Sequence, residues 1–162
     1  MKISFAPLHV DAIACLSEMT HVDFSAGSFE PPRWFCATAR TDRDAIMGVL
    51  ACEFRTAFDA TFNIAILDKR CINRRVMRAI FTALFSQAVR LTAEVSVNNR
   101  AALRAIERMG FVYEGYCRLG INGVEDAFVF GMLRGDCKYL PGYAGGTTVT
   151  MEMPDGQRAF LS

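Results

Sequence analysis

Residues 91–111 read LTAEVSVNNRAALRAIERMGF, a strand, a turn and a helix in one line. Ala93, Val95 and Val97 alternate with Thr92, Glu94 and Ser96, the two-residue period that sends one set of a strand's side chains to each face. Asn98-Asn99 ends the strand, and Asn99 is well suited to cap the helix that follows. Leu103, Ile106 and Met109 form the inner stripe of a helix over Ala101–Met109, and Gly110 supplies its left-handed stop.

Working outward, the segment Arg74–Ala88 predicts a second helix, with Asn73 as its cap. Its apolar residues wrap most of the circumference, so burial on more than one side is expected. Before it lie a short amphipathic helix over Val10–Met19, a loop over residues 20–32, and strands at Trp34–Arg40, Ala45–Arg55 and Ala60–Leu67. After it, Phe111–Leu119 and Val124–Leu133 form a hairpin around Gly120-Ile121-Asn122-Gly123, where Asn-Gly is a strong turn signal. Helices set between strands in this order predict an α/β fold with a sheet of mixed direction. Residues 1–140 make the domain, and residues 141–162 are expected to add a loop and a small hairpin, Thr147–Met153 with Gln157–Leu161, to the same domain. That hairpin is expected to pair with a sheet edge or with a second subunit, a homodimer contact.

The chain has 162 residues, 52% of them hydrophobic and 22% charged, which suits one domain with a sizeable core and excludes general disorder. Six cysteines (Cys15, Cys36, Cys52, Cys71, Cys117 and Cys137) contain no C-x-x-C pair. The only histidines, His9 and His21, lie far from most of the thiols, so neither a metal site nor a disulfide set is expected. No leader follows Met1 and no long apolar run exists, which predicts a cytoplasmic protein without a membrane partner.

The net charge of +1 is unevenly spread. Residues 1–68 carry 5 basic and 9 acidic groups, a net of −4, whereas residues 69–118 carry 10 basic and 3 acidic groups, a net of +7. Arg70, Arg74, Arg75 and Arg78 gather at one helix start, where side chains and unpaired backbone N–H groups both favour an anion; a solvated arginine face is the alternative reading. Nucleic acid is not the expected anion, because the basic stretch lacks interleaved exposed aromatics.

Asn99, followed eleven residues later by Gly110-Phe111, then Glu114-Gly115 and the strand ending Gly131-Met132-Leu133, resembles the GCN5-related N-acetyltransferase (GNAT) family. Within that family the chain looks most similar to the branch of ribosomal-protein and phage-encoded acetyltransferases. The resemblance covers roughly residues 33–140 and implies a mostly antiparallel central sheet flanked by helices, with acetyl-CoA as cofactor. It implies that the pantetheine arm adds like a strand to the backbone of Asn63–Leu67, with contacts at Asn63, Ala65, Ile66 and Leu67. Asn99 would steady the thiol end of the cofactor, cap its helix, or do both. The family's phosphate loop falls on Arg70-Cys71-Ile72-Asn73-Arg74-Arg75, where Asn73 and Arg75 replace the two usual glycines. Asn tolerates a left-handed backbone, and Arg70, Arg74 and Arg75 can offer cations to a diphosphate in place of close backbone amides.

Glu94 matches a glutamate proposed as the base in ribosomal-protein acetyltransferases, and its place on the polar stripe of a mid-sheet strand points to the same role. There a carboxylate of raised pKa would accept an ammonium proton; a structural glutamate paired with an arginine is the alternative. The family's tyrosine acid falls on Ile106 and the serine of a related branch on Ala102, so neither acid is present. Tyr113 and Tyr116 are the nearest phenols in sequence, expected on opposite faces of their strand. Tyr116 is the candidate acid, a core or edge tyrosine being the alternative. Cys52, Cys71 and Cys117 are expected to be small buried hydrophobes rather than nucleophiles. The implied reaction is acetyl transfer to a primary amine on a protein N-terminus, a lysine or a small molecule. Glu18, Asp23 and Glu30 would draw the cation, and residues 20–32 and 119–124 would shape the acceptor loops. A degenerate fold that binds coenzyme A or a protein without catalysis is the other implied reading.

Overall fold

Phe62 marks the point at which one extended segment leaves one sheet for another. The computed structural model describes residues 1–25 and 29–143, so the hairpin expected near the C-terminus and its dimer contact lie outside the described residues. In chain order the elements are β1 (Lys2–Ser4), α1 (Val10–Thr20), β2 (Trp34–Arg40), β3 (Ile46–Glu53), β4 (Asp59–Thr61) and β5 (Asn63–Ile66). Then follow α2 (Arg74–Leu84), β6 (Arg90–Ser96), α3 (Arg100–Met109), β7 (Val112–Ile121) and β8 (Glu125–Leu133). The strands form two four-stranded sheets, ordered β1-β2-β3-β5 and β4-β6-β8-β7. Every pairing is antiparallel except β4 with β6.

The single strand expected over Ala60–Leu67 is therefore two. Asp59–Thr61 pairs with Arg90–Thr92, and the Phe62 N–H still donates to the Thr92 carbonyl at 2.8 Å. From Asn63 on, the chain pairs only with β3. β5 and β6 diverge beyond this point, and a gap opens between the two sheets.

The main core fills the face covered by α2 and α3. Met77, Phe81 and Leu84 from α2 and Leu103, Ile106 and Met109 from α3 meet Leu91, Ala93, Phe130 and Met132 of the sheet. A smaller core places Ala12 and Leu16 of α1 against Val49, Ala51 and Ala65 on the opposite side. α2 is shorter than its apolar pattern suggested, ending at Leu84, and it buries a single stripe (Met77, Ile80, Phe81, Leu84) while Ala79 is exposed. Small Ala residues satisfied an apolar count without being needed in the core. Asn73 and Asn99 cap α2 and α3 through bonds of 3.0 Å from the Val76 and Ala102 amides. Gly110 ends α3 at φ 103°, a conformation that favours glycine. Among the described residues no helix is long and apolar enough to cross a membrane.

All six cysteines are free, and Cys36, Cys52, Cys71 and Cys137 are buried. Burial pushes the Cys36 thiol up to about 11 and the Cys52 and Cys71 thiols upward as well, which removes their thiolates as nucleophiles. Cys117 is exposed, so the expectation of burial fails there. Cys71 packs against Gly48, where an added Cβ would sit 2.8 Å from the Cys71 Sγ and 3.2 Å from the Ala65 carbonyl oxygen. Gly48→Ala is therefore expected to cost about 1–3 kcal/mol of stability, measured as a lower denaturant midpoint at unchanged slope.

Candidate active site

A strand presents its backbone N–H and C=O groups to alternate sides. Because Phe62 donates toward β6, the alternation turns the backbones of Ile64 and Ile66 into the gap and those of Asn63 and Ala65 toward β3. Sequence reasoning named Asn63, Ala65, Ile66 and Leu67 for this role and missed Ile64. The Leu67 N–H is already given to the Met47 carbonyl at 2.9 Å. The direction of the alternation depends on where β4 stops pairing, and no local signal in the sequence marks that residue.

The gap is an open cleft lined by Ile64, Ile66, Glu94, Asn99, Ala102 and Ile106. Asn99 stands at its end. Its side-chain oxygen caps α3, and its amide donates to the Met19 carbonyl at 2.8 Å, which ties the end of α1 across the cleft. On the α1 side lies a second, more polar cleft lined by Trp34, Glu53, Arg55, Thr92, Glu94 and Asn122 among others. Asn63 and Glu94 border both clefts. The rim joins residues 20–25 to the β7–β8 turn, where Asn122 donates to the His21 carbonyl at 2.6 Å and accepts from the Asp23 amide at 3.0 Å.

Glu94 projects from the polar face of β6, as its alternation required, and its side chain is 35% exposed. Arg55 lies beside it at 3.6 Å, so the arginine-paired arrangement is present and leaves the carboxylate facing both clefts. Glu18, Asp23 and Glu30 do not line the polar cleft; its acidic groups are Glu53 and Glu94. Asp23 is spent in a local turn, accepting from the Ser25 amide at 2.9 Å, and this bonding lowers its pKa.

The basic loop stands at the other end of β5. Asp68 accepts from the Arg70 amide at 2.9 Å and takes the Arg70 guanidinium, which holds the Asp68 carboxyl below the ordinary range. The charge of Arg70 is thereby spent. Cys71 turns inward with its Sγ 3.5 Å from the Met47 carbonyl, so only its backbone faces the loop's exterior. Among the described residues Arg74, Arg75 and Arg78 are exposed and form no ion pair. Beside them a groove is lined by Ile72, Asn73, Arg74, Lys138, Tyr139 and Tyr143. Lys138 and Tyr139 were missed in the sequence because they follow β8 and join the loop only through the fold.

No family model matches the chain, and no curated protein matches it. Solved structures do. A GNAT family acetyltransferase from Elizabethkingia anophelis with acetyl-CoA bound matches with a TM-score of 0.60 at 13% identity, covering 81% of this chain and 97% of that one. The ribosomal-protein-S18-alanine N-acetyltransferase from Escherichia coli matches with a TM-score of 0.58 at 16% identity, covering 82% and 94%. The spermidine/spermine N-acetyltransferase SpeG from Vibrio cholerae matches with a TM-score of 0.57 at 16% identity, covering 82% and 95%. The chain has the GNAT fold.

Within the GNAT fold the structure corrects the proposed acid. Tyr116 lies on β7, an edge strand separated from β6 by β8, and lines neither cleft. Its hydroxyl donates to Asp126, and it pairs directly with Phe128, itself opposite Val95 on the face away from Glu94. Tyr113 shares that face, contrary to the alternation expected from sequence, because a bulge between Tyr113 and Gly115 inserts one residue. The two family acid positions, Ile106 and Ala102, both line the gap and offer only apolar groups.

Proposed function

We propose that the protein is an N-acetyltransferase that moves an acetyl group from acetyl-CoA to a primary amine within a ternary complex. The observation that carries this reading is the gap itself: a strand with unpaired inward amides, bordered by a carboxylate that faces a second, polar cleft. The residues fit the cofactor. The backbones of Ile64 and Ile66 would bond a pantetheine arm laid along β5, with Asn63 and Asn99 at its thiol end. Arg74, Arg75 and the backbone amide of Asn73 would meet the diphosphate, whereas the Cys71 and Ile72 amides, named from sequence, are already given to the Asp68 and Lys69 carbonyls at 3.1 and 3.0 Å. When bound, the cofactor supplies the thioester.

Glu94 is the base in this reading. It takes a proton from the incoming ammonium, directly or through water, and the neutral amine attacks the thioester carbonyl. Backbone N–H groups of β5 stabilise the oxyanion. The C–N bond would form and the C–S bond break, with the remaining excess proton on nitrogen passing through water to the departing thiolate, since no phenol among the described residues borders the cleft. Release of free thiol from acetyl-CoA on addition of primary amines tests the reading, and no release with any amine contradicts it.

A coenzyme A-binding or protein-interaction module without catalysis is the second reading, and the absence of a hydroxyl acid together with both loop glycines favours it. Cofactor binding with no thiol release under any amine is its signature.

A further inference from the structure

The acids expected to draw a cationic acceptor, Glu18, Asp23 and Glu30, do not line the polar cleft, and a guanidinium does. Arg55 lies two residues past the end of β3 with its side chain 50% exposed, 3.6 Å from Glu94. That separation is longer than a direct charge-assisted hydrogen bond, so the pair touches only loosely. The other acidic group of the cleft is committed elsewhere: Glu53 is 16% exposed and accepts from the Arg33 Nε at 2.7 Å. The charges left to meet an acceptor are therefore one carboxylate and one guanidinium, side by side. Around them Val22, Phe24, Trp34 and Ile121 form an apolar wall.

Resting on the acetyl-transfer reading, we propose that the acceptor is zwitterionic, an amino-acid-like primary amine with an apolar side group. Its ammonium faces Glu94 while its carboxylate takes the Arg55 guanidinium. Such a ligand satisfies both ions of the cleft with both of its own, and binding exchanges the loose Arg55–Glu94 contact for two intermolecular pairs. A polyamine would set a second cation against Arg55, and a neutral amine would leave that guanidinium without a partner. Arg55 is thus a specificity-determining residue, and the product keeps its carboxylate while its amine becomes an amide.

The experiment measures thiol release from acetyl-CoA with leucine and phenylalanine, with their amides, with spermidine and with a short peptide whose free α-amine has no neighbouring carboxylate. The wild-type protein is compared with Arg55→Gln and Arg55→Lys, and acetyl-CoA binding to each is followed by calorimetry. The free amino acids are expected to exceed their amides in kcat/KM by about tenfold or more, because a site that pairs a substrate group discriminates against its loss. Arg55→Gln is expected to remove that preference through KM with acetyl-CoA affinity unchanged, and Arg55→Lys to recover part of it. Equal use of amides, peptide or spermidine by the wild type overturns the inference, as does an unchanged preference in Arg55→Gln. Thiol release without preference leaves acetyl transfer standing, whereas acetyl-CoA binding with no release from any amine overturns acetyl transfer and this inference together.

Discussion

Replacing Glu94 with glutamine should lower kcat for acetyl transfer by about 10²- to 10⁴-fold, the range set by loss of a positioned general base. The change is nearly isosteric, and Glu94 sits on the polar face of β6, away from the core residues Ala93 and Val95. Acetyl-CoA affinity and thermal stability should therefore stay close to wild type. The effect should also depend on pH. Where the acceptor amine is already neutral, at pH well above its pKa, the base has no proton to remove and the deficit should shrink. A uniform deficit at every pH would make Glu94 a structural partner of Arg55 instead of a base. Stopped-flow or coupled thiol release across pH separates the two.

The double reversal Arg74→Glu with Arg75→Glu should weaken coenzyme A binding by about 100-fold, the effect of losing a charge-assisted contact and adding repulsion. The wild-type affinity should fall with added salt, since these side chains are exposed to solvent. Stability gives an independent control. Arginines in the first turn of α2 oppose the positive end of the helix dipole, so glutamates there should leave the melting temperature unchanged or raise it. Equal affinity in the wild-type and doubly substituted proteins would move the diphosphate away from this helix.

Most of the fold was legible because its signals are local. The alternation in Leu91–Val97, the caps Asn73 and Asn99, the stop at Gly110 and the turn at Asn122-Gly123 each act within a few residues, and the elements they mark formed there, with only the C-terminal end of α2 falling short, at Leu84. The errors came from long-range choices. Whether Ala60–Leu67 is one strand or two depends on where a partner strand turns away, and the bulge that brings Tyr113 and Tyr116 to one face depends on β8. Of the candidate site, Glu94 and Asn99 were named from the sequence and line the gap, while Ile64, Arg55, Lys138 and Tyr139 come to the clefts only once distant segments meet. Within the +7 stretch Arg74, Arg75 and Arg78 stay exposed, while Arg70 is paired with Asp68 two residues away. The −4 front did not, because its acids are mostly spent on local turns and ion pairs, and an arginine stands in the cleft.

If the gap between β5 and β6 is the seat of a cofactor, direct titration of acetyl-CoA into the protein shows it most simply. Binding should saturate at one equivalent, with a dissociation constant in the range of about 1 μM to 1 mM usual for enzyme substrates. It should be competed by free coenzyme A and weakened by salt. Absence of any heat or protection at millimolar acetyl-CoA would contradict the account.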